Sequence, residues 1–149
     1  MSLNQASRPR RDTLEDIRKE HDFSTFLIVA WGIIELNLNQ VILREHNLSG
    51  WNPKADSFIR SSVHRKLEHQ LKLGLLSQEE NEIIQIFKKK RNRYFHDLGV
   101  FVLNLAETEK QEIALNAFKA VDVTYSLFDR VFDSKNNQRW IDASESHDK

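Results

Sequence analysis

The sequence predicts an all-α protein, an up-and-down bundle of four to five helices. Only 4 Gly and 2 Pro occur in 149 residues, too few turn-forming residues for a sandwich or barrel of many short strands. Apolar residues instead recur every three or four positions over long segments, as on one face of a helix. Amphipathic helices of this kind bury their apolar faces by packing against one another, which favours a bundle.

The first helical segment is predicted from Asp12 to about Asn47, with a break near Asp22. Its apolar face consists of Phe23, Phe26, Leu27, Ala30, Ile34, Leu38, Val41 and Ile42. Gly50 and Pro53 then indicate a loop. A second helix is predicted from about Ala55 to Leu73, because four apolar residues follow one another at intervals of four. These are Ile59, Val63, Leu67 and Leu71.

Two further helices are predicted from their capping residues. Gly74 is expected to end the second helix, and Ser77 with Glu80 forms a capping box that begins the third. Thr108 with Gln111 is expected to cap the fourth helix, which extends to about Phe132. The apolar face of the third helix comprises Ile83, Ile84, Phe87, Tyr94 and Phe95, and that of the fourth comprises Ile113, Ala117, Phe118, Val121, Tyr125, Phe128 and Phe132.

Residues 12–133 are therefore predicted to form a single helical-bundle domain. Residues 1–11 are expected to be a basic disordered tail and residues 134–149 a polar tail, whereas 97–107 cannot be assigned from periodicity. The longest apolar stretch, Phe23–Ile42, is interrupted by polar residues, so we expect a cytoplasmic protein without a membrane partner.

Composition excludes several classes of chemistry. Acidic and basic residues balance at 22 each, so attraction to a polyanion must be local. The absence of cysteine excludes disulfides and thiolate chemistry. The six histidines show no metal-binding spacing, and the four glycines stand too far apart for a phosphate-binding loop. We expect neither a metal nor another cofactor.

The segment Lys88–Arg93 contains five cations in six positions. Because acidic residues begin the same helix, the lysines could simply complement the helix dipole. Arg91 differs from them, since it falls about 80° from Ile83 on the helical wheel, inside the apolar face. Burial of a cation costs several kcal/mol unless it is paired. Arg91 is therefore expected either to form a buried ion pair, with Glu35 as candidate, or to receive an anion in a cleft.

Two other polar residues belong with this candidate site. His96 follows Arg91 at about 7.5 Å along the helix axis, close enough for both side chains to reach one phosphate. Asn37 lies inside the apolar face of the first helix, where an interhelical hydrogen bond in the core is expected. The alternative is that Asn37 orients Arg91 or His96.

The motif Arg91-Asn92-x-x-x-His96 resembles the signature of HEPN domains (higher eukaryote and prokaryote nucleotide-binding), which are short helical bundles. The resemblance covers roughly residues 14–132, although only the motif is specific. In some HEPN toxins a tyrosine two residues after the histidine is modified by a partner, and here that position is Leu98. The resemblance implies a metal-independent RNA endonuclease, typically a toxin or antiviral effector, with RNA as substrate, a homodimeric state and an antitoxin or regulatory protein as possible partner.

The residue types are suited to such chemistry. Histidine gains and loses a proton near neutral pH, so His96 could act as general acid or base. Arg91 could stabilise a phosphorane, and Asn92 could orient His96 or a phosphate. Lys89, Lys90 and Arg93 would contact the flanking RNA backbone. Two alternatives remain: a non-catalytic HEPN-like module that binds nucleotide or RNA, as in mannitol-repressor-like proteins, or a plain helical interaction domain.

The homodimer is also predicted from the residues. Arg91 shares its helix face with the aromatic residues Phe87, Tyr94 and Phe95. If that face were buried in one chain, the charge of Arg91 would be buried without a partner. If it were exposed, it would leave an apolar patch on the surface. A two-fold interface that brings both copies of the motif together would avoid both outcomes.

Overall fold

A computed structural model describes residues 9–46, 53–96 and 105–132, and all regular structure within these ranges is helical. Six helices occur there, against the four to five predicted. They are α1 (Pro9–Glu20), α2 (Phe23–His46), α3 (Pro53–Ile59), α4 (Val63–Lys72), α5 (Gln78–His96) and α6 (Glu107–Phe132). The all-α prediction is confirmed, and the additional helices come from breaks within predicted segments.

The two longest helices, α2 and α6, form the most extensive contact of the bundle, and α5 packs against α6 beside them. Their apolar faces build the core as the spacing predicts. Fully buried members include Phe26, Leu27, Ile34, Val41, Phe87, Ala117 and Val121. The side chain of Phe132, assigned to the same face of α6, lies outside the described part of the chain.

The helical N-terminus begins earlier than expected. α1 starts at Pro9, so the predicted tail of residues 1–11 is wrong at its last three positions, and residues 1–8 lie outside the described ranges. Arg11 anchors this helix to α6, since its Nε donates to Asp122 at 2.6 Å while its Nη1 contacts Glu15. These two carboxylates raise the pKa of Arg11 above its ordinary value. The expected break near Asp22 is confirmed at residues 21–22.

The helix predicted from Ala55 to Leu73 is interrupted, which corrects the sequence interpretation. Ser62 is extended, with φ −66° and ψ 156°, and its side chain accepts a hydrogen bond from the amide of Arg65 at 3.2 Å. This N-cap begins α4 as a separate helix. The four-residue spacing of Ile59 and Val63 continues across the break, so apolar periodicity alone did not reveal it.

The turn between α4 and α5 agrees with its predicted capping residues. Gly74 has a φ of +74°, and the amides of Leu75 and Leu76 both donate to the carbonyl of Gln70. Ser77 and Glu80 form the reciprocal capping box, with hydrogen bonds of 3.0 and 3.1 Å. The start of α5 is therefore fixed by local interactions.

The last helix starts one residue before the residue predicted to cap it. α6 begins at Glu107, and Lys110 donates from its amide to the carbonyl of Ala106 at 3.1 Å. Thr108 thus lies inside the helix and is not its N-cap. The predicted end near Phe132 is confirmed, and most of the unassigned segment, residues 97–104, lies outside the described ranges.

The Phe23–Arg44 segment of α2 is long and apolar enough to cross a membrane by length and composition, and 56% of its most apolar window is buried inside the bundle. A helix that is apolar on nearly all sides is typical of a domain core as well as of a membrane span. The bundle itself supplies partners for most of this helix. Its burial therefore follows from the fold.

Candidate functional site

The motif lies in the last two turns of α5, on a helix held in position by its aromatic residues. Phe87 and Tyr94 are buried, and Tyr94 shares a hydrogen bond of 2.9 Å between its hydroxyl and that of Ser24 on α2. The side chains of Phe87 and Tyr94 thus pack within a single chain, which corrects the argument that an aromatic face needs a second copy to cover it. Arg91 lies beside them at the edge of the core.

The guanidinium of Arg91 lies over two aromatic rings. Its central carbon is 5.3 Å from the ring centre of Trp31 and 5.2 Å from that of Phe95. Trp31 is 8% exposed and also packs against Phe87, with ring centres 6.1 Å apart. Cation–π contacts of this kind stabilise a partly buried guanidinium by about 1–2 kcal/mol. They hold Arg91 in place, and no carboxylate of the described residues contacts it.

Hydrogen bonding among the described residues engages only part of the Arg91 guanidinium. Its Nη1 donates to the side-chain oxygen of Asn92 at 3.2 Å, whereas its Nε is buried without a hydrogen-bond partner among the described residues. Burial lowers the pKa of Arg91, and the charge of Glu35 partly opposes this shift. Within the described ranges, however, Arg91 and Glu35 form no direct ion pair, which was the structural alternative proposed from the sequence.

Asn92, Phe95 and His96 line a shallow, open concavity at the end of α5. His96 is the last residue of the helix and is exposed. Because Arg91 contacts both Asn92 and Phe95, the three motif residues are gathered around the same small surface. The concavity itself presents an amide and an imidazole, and the Arg91 guanidinium contacts two of its lining residues, Asn92 and Phe95.

The other residues predicted to contact RNA, Lys89, Lys90 and Arg93, do not line this concavity. Lys90 and Arg93 line a second groove together with Glu109, Glu112 and Ile113 of α6. The Nζ atom of Lys90 is 3.0 Å from a carboxylate oxygen of Glu112, so a phosphate would have to compete with that carboxylate. Lys89 is exposed and points to solvent.

The two supporting residues predicted from the sequence occupy different environments. Asn37 is fully buried and donates to the hydroxyl of Thr124 on α6 at 3.0 Å. The expected interhelical hydrogen bond is therefore confirmed, and this bond connects α2 with α6 and not with the motif. Glu35 is partly exposed, and its charge acts on both Arg91 and Lys66.

The sequence interpretation missed Lys66 and Trp31. Lys66 is only 3% exposed and donates from Nζ to the side-chain oxygen of Asn39 at 2.7 Å. Burial lowers its pKa. Trp31 and Asn39 stand one turn before and one turn after Glu35 on α2, so this spacing was the signal that could have identified the surface facing Arg91 and Lys66.

Comparison of the chain with protein-family models, curated proteins and solved structures found no match. The HEPN resemblance thus depends on the sequence motif. Among the described residues, no cluster of three or more carboxylate or imidazole side chains could hold a metal ion.

Proposed function

We propose that the protein is a metal-independent RNA endonuclease of the HEPN type. The observation that carries this proposal is the desolvated Arg91 guanidinium over Trp31 and Phe95, adjacent to the concavity lined by Asn92 and His96. A cation held by aromatic rings, with no carboxylate contact among the described residues, keeps its full charge for a phosphate. The exposed imidazole of His96, in the same concavity as Asn92 and Phe95, would supply proton transfer.

The chemistry follows from these groups. The 2′-hydroxyl of a nucleotide attacks the adjacent phosphorus, the 5′-oxygen leaves, and a 2′,3′-cyclic phosphate results. His96 takes the proton from the attacking hydroxyl or gives one to the leaving oxygen. Arg91 donates hydrogen bonds to the phosphorane as its negative charge increases. Asn92, bound to Arg91, keeps the guanidinium directed along the helix surface toward the phosphate.

A second His96 would allow one imidazole to act as base and another as acid. We therefore propose a homodimer in which two copies of the concavity face each other. Its support is the motif resemblance. When an Arg91→Ala chain is mixed with a His96→Ala chain, part of the cleavage activity should return. A fully active monomer in light scattering would refute the homodimer alone.

The central experiment measures cleavage of single-stranded RNA in EDTA and identifies the product ends. We expect cleavage without metal, 2′,3′-cyclic phosphate ends, and complete loss of activity in His96→Ala. Because His96 is exposed, this variant should change the free energy of unfolding by less than about 0.5 kcal/mol. His64→Ala is the matched control, since His64 is also exposed but lies on α4; it should remain fully active.

Three outcomes would count against the proposal: restoration of activity only by magnesium, cleavage by His96→Ala, or RNA binding without cleavage. The last would favour the non-catalytic, RNA-binding alternative. Absence of both binding and cleavage, with Arg91→Ala unfolding the domain, would favour a plain interaction domain in which Arg91 has a structural role.

A further inference from the structure

Phe95 has a role that the motif does not assign. Its ring is partly exposed and lines the concavity between Asn92 and His96. The rest of the ring is held in place, because Arg91 lies over it at 5.2 Å and Tyr94 meets it edge to face, with ring centres 5.2 Å apart and planes at 89°. The concavity therefore contains a rigid aromatic surface beside the imidazole.

The position of this ring is fixed from the core outward. Tyr94 is 2% exposed, shares a hydrogen bond with Ser24, and meets the ring of Phe23 at 5.3 Å. Tyr94 thus cannot easily change its orientation, and neither can the ring of Phe95 that rests against it. An aromatic surface fixed in this way loses little conformational entropy when a planar group binds to it.

We propose that Phe95 is a base-binding residue: a nucleobase of single-stranded RNA stacks on its ring while the adjoining phosphate meets Arg91 and His96. This inference rests on the proposed function for the identity of the ligand. Bases of unpaired RNA stack on aromatic side chains, and a paired base inside a helix is not available for this contact. The guanidinium of Arg91 already lies over the rings of both Trp31 and Phe95, so a base on Phe95 would bind next to this cation–π cluster.

Stacking is independent of base identity, because every base has a π-face. Phe95 would therefore select for the presence of an unpaired base and not for a sequence. It would also fix the nucleotide next to the reacting phosphate, which keeps the 2′-hydroxyl near His96. The residue acts on binding and position, whereas His96 and Arg91 act on the reaction itself.

The test compares two RNA hexamers of equal charge, hexaadenylate and its abasic ribose-phosphate counterpart. Affinities are measured by fluorescence anisotropy in the His96→Ala background, so that the RNA remains intact. We expect hexaadenylate to bind about 5- to 150-fold more tightly than the abasic oligomer, the ratio that about 1–3 kcal/mol of stacking produces. Phe95→Leu should remove most of this ratio and Phe95→Tyr should retain it.

Phe58→Leu is the matched control, because Phe58 also packs under an arginine, Arg65, at 5.3 Å, but lies on α3. It should leave the ratio unchanged. Equal binding of the two oligomers by the His96→Ala protein would overturn the inference even if the added Phe95→Leu change prevented folding. A ratio that Phe95→Leu preserves would overturn it as well. If RNA is not cleaved yet the Phe95-dependent ratio is observed, the enzymatic proposal fails and the base-binding residue stands.

Discussion

The guanidinium carbon of Arg91 lies 5.3 Å from the centre of the Trp31 ring, across the contact between α5 and α2. This relationship explains how a cation occurs in an apolar helix face where no carboxylate of the described ranges contacts it. The ring system compensates part of the desolvation cost, and Glu35 opposes the resulting fall in the Arg91 pKa only through its charge. Arg91 is therefore held at the edge of the core by aromatic rings, and not by a direct ion pair with Glu35.

The first prediction concerns Arg91→Met. Methionine preserves an apolar contact with Trp31 and Phe95 while removing a desolvated charge. We expect the free energy of unfolding to change by less than about 1 kcal/mol, because the lost cation–π contact and the relieved desolvation nearly cancel. RNA affinity should fall at least tenfold. Urea denaturation and anisotropy measure the two quantities.

Arg65→Met serves as the control for this substitution. It also removes an arginine over an aromatic ring, since Arg65 lies 5.3 Å from the ring centre of Phe58, but it leaves the concavity intact. RNA affinity should remain within twofold of the parent protein. If Arg91→Met instead unfolded the domain and Arg65→Met weakened RNA binding equally, Arg91 would be a structural residue.

The sequence was most informative where a residue's role is local. The capping box of Ser77 and Glu80 and the left-handed Gly74 depend on neighbours within a few residues, so their patterns were sufficient. The break at Ser62 was missed because apolar spacing continued across it.

Long-range contacts explain what could not be predicted at the candidate site. The wheel position of Arg91 indicated that something must compensate its burial, but it could not distinguish a carboxylate from an aromatic ring. The answer depends on which turn of α2 faces α5, and that register is set by packing of the whole bundle. For the same reason, the contact between Lys90 and Glu112 could not be predicted from the sequence.

The second prediction separates Asn37 from the candidate site. Its buried amide donates to Thr124, whose hydroxyl in turn donates to the carbonyl of Val121 at 2.7 Å. Asn37→Ala should therefore lower the free energy of unfolding by about 1–3 kcal/mol, because it removes a buried hydrogen bond. Cleavage per folded molecule should stay unchanged well below the melting temperature.

A double-mutant cycle with Thr124→Val tests this assignment. The coupling energy between the two positions should be about 1 kcal/mol, the usual contribution of one hydrogen bond. Loss of cleavage by Asn37→Ala at full stability would show that Asn37 acts on the motif after all.

The third prediction concerns the acid stability of the α5 N-terminus. Glu80 accepts two hydrogen bonds of 2.7 Å from Arg130, which hold the pKa of Glu80 below its ordinary value. A carboxylate whose pKa is lower in the folded chain than in the unfolded chain stabilises the fold when the pH is above its unfolded pKa. This contribution is lost as the pH falls through the folded pKa. The unfolding free energy should therefore decline below about pH 4.5.

Glu80→Gln isolates the ion pair from the cap, because glutamine also completes a capping box with Ser77. At pH 7 the substitution should cost about 1–2 kcal/mol, a value reduced by solvent screening of the partly exposed Arg130. The difference from the parent protein should shrink progressively in strongly acidic solution. A cost independent of pH would show that the charge of Glu80 contributes nothing.

The last prediction concerns Lys66. Burial lowers the pKa of this residue, and the charge of Glu35 partly opposes the shift. Since the folded pKa lies below that of the unfolded chain, the unfolded state binds more protons between the two values. The free energy of unfolding should therefore rise as pH increases through the folded pKa toward about 10.5.

Lys66→Met should be at least as stable as the parent protein at neutral pH, because it removes a buried charge that has no carboxylate contact among the described residues. The substitution also leaves the hydrogen-bond partner of Lys66, the partly exposed Asn39, accessible to water. When urea denaturation is repeated at pH 10, the free energy of unfolding of the parent protein should have risen relative to that of Lys66→Met. Lys72→Met, at an exposed position of the same helix, should show no such dependence on pH. If Lys66→Met were strongly destabilised at pH 7 and the difference did not change with pH, the hydrogen bond to Asn39 would outweigh desolvation, and Lys66 would stabilise the contact between α2 and α4 as a charged group.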